Sequence, residues 1–393
     1  MDFEYIYPII VLFGSFAIML AVGVPITFAI GLSSLFSILI ALPPDAAISV
    51  ISQKMTVGLD GFTLLANTLF GAISGSAVAS AAAVGGIMSP LQEKEGYSPA
   101  FSTAINVASA PIGLMIPPSN VLIVYSLASG GTSVAALFLA GYLPGILTAL
   151  ALMTVAALYA YRHHYPVAER INLRQFLSVF RDSLPSLLLI FIIIGGIIGG
   201  VFTPTEASAI AVIYSLALAA IYREINVSKL RDILLDSVVT SSIVLLLVGC
   251  SMGMSWAMTN ADVPELINEM ITSVSENKWV ILLIINLILL FVGTFMDITP
   301  AILIFTPIFL PIAQHLGIDP VHFGIIMVFN LTIGLCTPPV GTILFVGCSI
   351  GKISIDKVVK PLLPMFLALF VVMAMICYFP QLSLLLPTLF APS

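Results

Sequence analysis

The chain has 393 residues, of which 60% are hydrophobic and only 8% charged, with 13 Lys or Arg against 19 Asp or Glu and a net charge of −6 at pH 7. A soluble domain carries about 25% charged residues, so a soluble enzyme and a disordered scaffold are excluded. The sign of the net charge argues against a phosphate backbone, and no nucleic-acid partner is expected.

No Asp, Glu, Lys or Arg occurs in 5–44, 61–92, 96–161, 183–205, 207–222, 237–261, 279–296, 298–318, 320–351 or 361–393. A spanning helix needs about 20 apolar residues, so several of these runs hold one span and others two. Lipid-exposed backbone has to satisfy its own hydrogen bonds, which predicts an all-α polytopic membrane protein. The opening MDFEYIYP is acidic, so a cleavable signal peptide is not expected. A pair of spans over 9–42 is followed by an amphipathic stretch, DAAISVISQKMTVGLDG (45–61), with the look of an interfacial helix. GLDGFTLLA (58–66) then runs straight into NTLFGAISG (67–75). Further on, INVSKLRDILLDS (225–237) reads as a second interfacial helix, ahead of spans at 237–258 and 279–293. FTPTEAS (202–208) puts Glu206 at a helix start, where capping and a functional role stand as equal readings. The polar stretches QEKEGYSP (92–99) and QHLGIDP (314–320) read as turns, with His315 and His322 as polar residues beside the second. Cys250, Cys336, Cys348 and Cys377 sit singly in apolar runs without metal or disulfide spacing, and read as small buried hydrophobes.

The chain repeats itself. Phe70 and Phe291, Pro90 and Pro311, Pro99 and Pro320, Gly113 and Gly334, Pro117 and Pro338, and Pro118 and Pro339 all stand at one constant offset of 221. Positive residues orient the halves. Arg162, Arg170, Arg174 and Arg181 make the loop 162–181 cytoplasmic, and Arg223, Lys229 and Arg231 do the same for 222–231. The acidic 259–277 should face outward, as should the acidic N-terminus. The loop 129–134 is uncharged, while its counterpart 351–360 carries Lys352, Lys357 and Lys360. Equivalent loops thus fall on opposite sides, as in the inverted-topology repeats of secondary transporters. Upstream the register changes. Pro25 lies opposite Pro204 at an offset of only 179, so the first half is shorter than the second by the difference between the two offsets, somewhere between positions 42 and 69.

Two pairs of motifs carry the candidate chemistry. GAISGSAVAS (71–80) is dense in small residues, which lets helices approach closely; the same residues loosen a helix and place the Ser74 and Ser76 hydroxyls beside freed carbonyls. Its counterpart GTFMDITP (293–300) holds Asp297 and Thr299 before Pro300. An ionised Asp at membrane depth costs about 2.5–3.5 kcal/mol on insertion scales, and with no Lys or Arg nearby a bound cation is the natural counter-charge; a protonated Asp held by backbone is the alternative. IPPSN (116–120) and CTPPVG (336–341) each place two prolines inside an apolar run. Neither continues a helix. A helix broken in this way exposes carbonyls suited to a hard cation.

GAISGSAVASAAAVGGIM, ASAPIGLMIPPSN, FTPTEASAIAV and NLTIGLCTPPVGT resemble the large membrane subunit of the tripartite ATP-independent periplasmic (TRAP) transporters, over nearly the whole chain. The resemblance implies an elevator-type ion transporter with two re-entrant hairpins and two broken helices. It implies two Na⁺ sites, one at Ser74, Ser76, Gly113, Ile116 and Pro118, the other at Asp297, Gly334, Thr337 and Val340. Substrate is expected near Gly75, Ala77, Asn120, Ile298, Thr299 and Thr342. The implied partners are a small four-helix membrane subunit, a periplasmic substrate-binding protein, an organic acid substrate and the lipid bilayer of a bacterial inner membrane. Members of the family usually carry a further span and an amphipathic helix after the stretch matching GLDGFTLLA, which are absent here.

The expected organisation is scaffold spans and a first arm over 1–66, a first transport half over 67–128, linking spans and a basic loop over 129–183, second scaffold spans and arm over 184–289, a second transport half over 290–350 and C-terminal scaffold spans over 351–393. The expected function is sodium-coupled uptake of an organic acid anion as the large permease subunit, with a stand-alone sodium/carboxylate symporter as the alternative. Catalysis is not expected, because no second intramembrane Asp accompanies Asp297 and no intramembrane His accompanies Ser74.

Overall fold

The computed structural model describes residues 59–163, 173–260 and 277–390. The expected spans over 9–42 and most of the arm over 45–61 lie outside them. Every regular element among the described residues is a helix. In the first half these are α1 (Leu59–Ser74), α2 (Ala77–Lys94), α3 (Pro99–Ser109), the single turn α4 (Ile112–Met115), α5 (Asn120–Ala128) and α6 (Val134–Arg162). Then come α7 (Leu173–Ile198), α8 (Pro204–Ile221) and α9 (Val227–Asn260). The second half holds α10 (Lys278–Phe295), α11 (Ile298–His315), α12 (Pro320–Cys336), α13 (Thr342–Ile350), α14 (Ile355–Tyr378) and α15 (Gln381–Phe390). Among the described residues α6, α8, α9, α10, α11 and α14 are long and apolar enough to cross a membrane, and α3–α4 with α5, bent by 52°, pass the same test when taken together.

Element boundaries recur at the spacing of the sequence landmarks. α2 and α11 both have 18 residues and begin at Ala77 and Ile298, and α3 and α12 begin at Pro99 and Pro320. α6 and α14 begin at Val134 and Ile355. Each of these starts stands from its counterpart at the same offset of 221. α12 is apolar on every side, and accordingly every residue from His322 to Cys336 is buried. Its counterpart is buried likewise from Phe101 to Pro117.

Small and amide side chains hold these central helices to their neighbours. A Cβ on Gly113 would lie 2.4 Å from the Gly71 Cα, and one on Gly334 would lie 2.6 Å from the Gly293 Cα, so backbone meets backbone at both crossings. Asn67 on α1 donates to Asn106 Oδ1 (2.9 Å) and Ser109 Oγ (2.6 Å) on α3. Asn106 donates to the Ala81 carbonyl of α2 (2.9 Å), and Ser80 donates to Asn67 Oδ1 (2.9 Å). In the second half Asn330 of α12 donates to Asn286 Oδ1 of α10 (2.8 Å). In lipid, such contacts stand in for the hydrophobic drive that water supplies elsewhere.

The halves are interlocked: α13 packs against α2 and α5 against α11. The Tyr125 hydroxyl of α5 donates to the Pro320 carbonyl at the start of α12 (2.7 Å). By contrast α8 and α9 bury almost nothing and turn side chains such as Val212, Ile213, Leu245 and Leu246 outward, as a lipid-facing periphery does.

Some details differ from the sequence reading. The arm expected at 225–237 does not end before the span at 237–258; α9 is one 34-residue helix, with no Pro or Gly near 237 to break it. Glu206 completes a capping box with Thr203, whose N–H donates to Glu206 Oε2 at 2.8 Å. His322 is not a solvated turn residue. It is 3% exposed and its Nδ1 lies 2.6 Å from Ser383 Oγ of α15. Cys250 is exposed on α9, whereas Cys336, Cys348 and Cys377 are buried. α15 has ten residues, fewer than a span needs.

The glycine crossings generate a paired prediction. Gly113→Ala forces a methyl into the Gly71 backbone and should destabilise the protein by about 1–3 kcal/mol. Gly86→Ala, where a Cβ meets nothing within 4 Å, should stabilise α2 by up to about 1 kcal/mol. Thermal unfolding in detergent checks both signs.

Candidate functional site

The first hairpin turns over three residues. α1 ends at Ser74, Gly75 takes φ +65° and Ser76 caps α2. The left-handed Gly75 reverses the chain without steric cost. The Ser76 hydroxyl accepts from the Ala79 N–H (3.2 Å), and the Ser76 N–H donates to the Ser74 hydroxyl (3.3 Å). Both serines thus stand where a helix end and a helix start meet. Asn120, the first residue of α5, leans over this tip: a Cβ on Gly75 would lie 2.1 Å from its Nδ2. The sequence-predicted Gly75 and Asn120 are therefore brought together, with Ala77 buried beside them at the start of α2.

The first proline break interrupts the chain between Met115 and Asn120. Ile116 is extended (φ −91°, ψ 124°), Pro117–Pro118 is cis, and Ser119 caps α5. Ser119 is fully buried. Its hydroxyl donates to the Leu114 carbonyl and accepts from the Leu122 N–H (3.4 Å), so it bridges the gap the prolines open. Gly113 lies in the short turn α4, pressed on Gly71 of the hairpin limb; Pro118 is half-buried.

The second half repeats the plan with different side chains. α10 ends at Phe295, Met296 is extended and Asp297 stands at the cap position of α11. Asp297 makes no side-chain cap bond and is exposed at the hairpin tip rather than enclosed in apolar protein. The turn sets it off the helix face and into the open. Ile298 is buried, and Thr299 is half-buried one residue on. At the second break Thr337 is extended, Pro338–Pro339 is cis and Gly341 takes φ +50° before α13. The Thr337 N–H donates to the Gly334 carbonyl (2.9 Å) and its hydroxyl to the Ile333 carbonyl (2.7 Å). The Gly341 N–H donates to the Thr294 carbonyl (3.0 Å), tying break to hairpin. Val340 is half-buried within the break. The Thr342 hydroxyl is buried without a hydrogen-bond partner, a group that an oxygen-seeking cation or a substrate would satisfy.

Four helix ends and four helix starts therefore meet at the hairpins and breaks. Ends present carbonyls and the negative pole of the helix dipole, and starts present N–H groups and the positive pole. Such junctions suit a cation on one side and an anion on the other. Among the described residues no three His, Cys, Asp or Glu converge, so the donors on offer are hydroxyls, carbonyls and one carboxylate. A crevice no larger than a water molecule lies among α3, α4, α6, α12 and α14, and a wider one lies beside Lys278, Asp319 and His322. Neither is lined by a sequence-predicted site residue. Sequence reasoning missed Ser119 and the Asn67–Asn106 and Asn286–Asn330 contacts; amides inside charge-free runs were the available signal.

The sequence matches the family described as the tripartite ATP-independent periplasmic transporter, DctM component, over residues 63–382. YgiK of Salmonella typhimurium is 90% identical over an alignment of 435 residues that takes in all of both chains. The C4-dicarboxylate TRAP transporter large permease protein DctM of Pseudomonas aeruginosa is 40% identical over 331 residues, covering 84% of this chain and 77% of that one. The sialic acid TRAP transporter large permease protein SiaM of Vibrio cholerae is 36% identical over 337 residues, covering 86% and 79%. The broken helices, the hairpins and these matches agree: the chain belongs to the DctM family of TRAP transporter large permease subunits, multi-pass membrane proteins of organic-acid transport and not enzymes.

Proposed function

We propose that this chain is the permease of a sodium-coupled system that takes up an organic acid anion across a bacterial inner membrane, fed by a periplasmic binding protein and braced by a small membrane subunit. The observation that carries the reading is the recurrence, at the repeat offset, of a hairpin tip and a double-proline break that are tied together. In this reading the halves are inserted with opposite orientation, and the interlocked hairpins and broken helices move as one body against the peripheral helices, as in an elevator.

Sodium is held on oxygen. Ser74 and Ser76 with carbonyls at Gly113, Ile116 and Pro118 form one set. Asp297 with Gly334, Thr337 and Val340 forms the other, and the unpartnered Thr342 hydroxyl stands beside it in the chain. The exposed Asp297 carboxylate is neutralised when the ion arrives, which removes the cost of carrying a charge through the membrane. The substrate anion faces the starts of α2, α5, α11 and α13, whose N–H groups do the work of the arginine these segments lack. Carboxylate substrates fit that chemistry, and the names of the Pseudomonas and Vibrio relatives point the same way.

Sodium should raise the unfolding temperature of the purified protein where potassium does not, since a ligand at a hundred times its Kd stabilises by about 2.7 kcal/mol. Absence of a sodium-specific shift would sink the coupling assignment. Asp297→Asn should remove part of that shift while leaving the sodium-free protein as stable as before, because Asp297 makes no cap bond to lose. Ser74→Ala with Ser76→Ala should remove another part. The tripartite reading is separated from a stand-alone symporter by uptake into proteoliposomes: transport without any binding protein would favour the symporter.

A further inference from the structure

We propose that Tyr125 is a positioning residue for the first hairpin tip: by holding the far end of α5 to the opposite half, its hydroxyl fixes where Asn120 lies over Gly75. The inference rests on the proposed function only in reading that tip as part of the first ion set. Asn120 and Tyr125 stand on one short helix. α5 runs from Asn120 to Ala128, so Tyr125 lies about 7.5 Å further along its axis. At the near end Asn120 is exposed, and its amide fills the space beside Gly75, where a Cβ would come within 2.1 Å of Nδ2. An exposed amide is aimed by the backbone that carries it. At the far end Tyr125 is fully buried, and its hydroxyl donates to the Pro320 carbonyl at 2.7 Å. Pro320 opens α12, directly after the turn that closes the second hairpin. The Tyr125 ring lies where Gly324 has no side chain; a Cβ there would be 2.4 Å from the ring Cε1. A rigid ring in a notch sets the helix sideways, and the directional bond at the end of the ring sets it along its axis.

The bond is not a contact that the repeat carries twice. At the offset of 221, Tyr125 corresponds to Val346 and Gly324 to Thr103. Valine has no hydroxyl to donate, and Thr103 Oγ1 is buried without a partner. α13 is tied instead at its near end, where the Gly341 N–H donates to the Thr294 carbonyl of its own hairpin. The near end of α5 is fastened within its own break, by Ser119 to the Leu114 carbonyl. The two broken helices are therefore registered differently, α13 on the hairpin of its own half and α5 on the start of α12.

The first tip is built to register a shift of α5. The Gly75 N–H donates to the Gly71 carbonyl (2.8 Å) and the Ser76 N–H to the Ser74 hydroxyl (3.3 Å), both in the stretch that Asn120 covers. When α5 slides or turns, Asn120 leaves this stretch, and the placing of the Ser74 and Ser76 oxygens loosens with it. The shape of the first ion set thus depends on a contact made with the second half.

Tyr125→Phe keeps the ring in its notch and deletes only the hydroxyl, and two measurements on the purified full chain in detergent test it. Without sodium, amide hydrogen exchange over 71–80 should be faster in Tyr125→Phe than in the unaltered protein, while the equivalent stretch 292–301 is unchanged. Equal exchange over 71–80 overturns the inference, and so does an equal rise in both stretches, which marks a general loss of stability. Sodium is then titrated against potassium at constant ionic strength, with the unfolding temperature as readout. In Asp297→Asn, whose remaining response belongs to the first ion set, adding Tyr125→Phe should raise the sodium concentration for half the shift by about threefold to tenfold, as loss of one hydrogen bond would. In Ser74→Ala with Ser76→Ala, adding Tyr125→Phe should leave that concentration unchanged. No change in the first background, or the same change in both, overturns the positioning role, because general destabilisation does not discriminate between the ion sets. If the unaltered protein shows no sodium-specific shift, the proposed coupling fails, and the hydrogen-exchange result still decides whether Tyr125 holds the tip.

Discussion

A peptide group inside a bilayer has to find its hydrogen bonds within the protein, and this requirement governs the whole molecule. Where the chain stays helical, the requirement is met locally, and the sequence is free to be any apolar string. Where Pro117–Pro118 and Pro338–Pro339 forbid the helix, carbonyls and N–H groups are released at depth and something has to be arranged around them. At the first break the Ser119 hydroxyl spans the gap, and at the second a backbone bond from Gly341 to Thr294 recruits the neighbouring hairpin. The groups left over are those from which the proposed ion and substrate sites are built. In that proposal, function is made from the places where the helix rule is broken.

The close approach of the limbs follows from the same economy. Hairpin limbs that pack through Gly71 on Gly113 and Gly293 on Gly334 bring backbone to backbone, so the released groups of one element come within reach of the next. Buried amides such as Asn67 and Asn330 then fix the register, because an amide displaced from its partner would be stranded in apolar surroundings. Small residues set the distance and amides set the alignment.

Much of this was legible beforehand, and the exceptions have physical reasons. Prolines and charge-free runs act through covalent geometry and transfer energy, both local properties, so the breaks, the hairpins and the repeat could be read from residue order. Exposure is not local. Asp297 stands among apolar neighbours in the sequence, and only the folded turn shows that it lies open at the hairpin tip. His322 looked solvated because it follows a polar turn, yet the distant Ser383 covers it. Cys250 sits in as apolar a run as Cys336 but on a helix whose described residues are mostly exposed. Ser119 was passed over because one serine beside two prolines looks like punctuation; its role emerges only when the Leu114 carbonyl is seen facing it. The arm and span of α9 merged because a change in polarity is not a change in backbone conformation.

The exchange of partners between the halves, α2 with α13 and α5 with α11, has a mechanical outcome. Each hairpin's second limb is clamped by the other half's broken helix, so no half can be remodelled while its twin stays still. A ligand that held one junction more tightly in one arrangement than in another would therefore act on a surface against which the other half also packs, and whatever free energy links the two junctions is reciprocal.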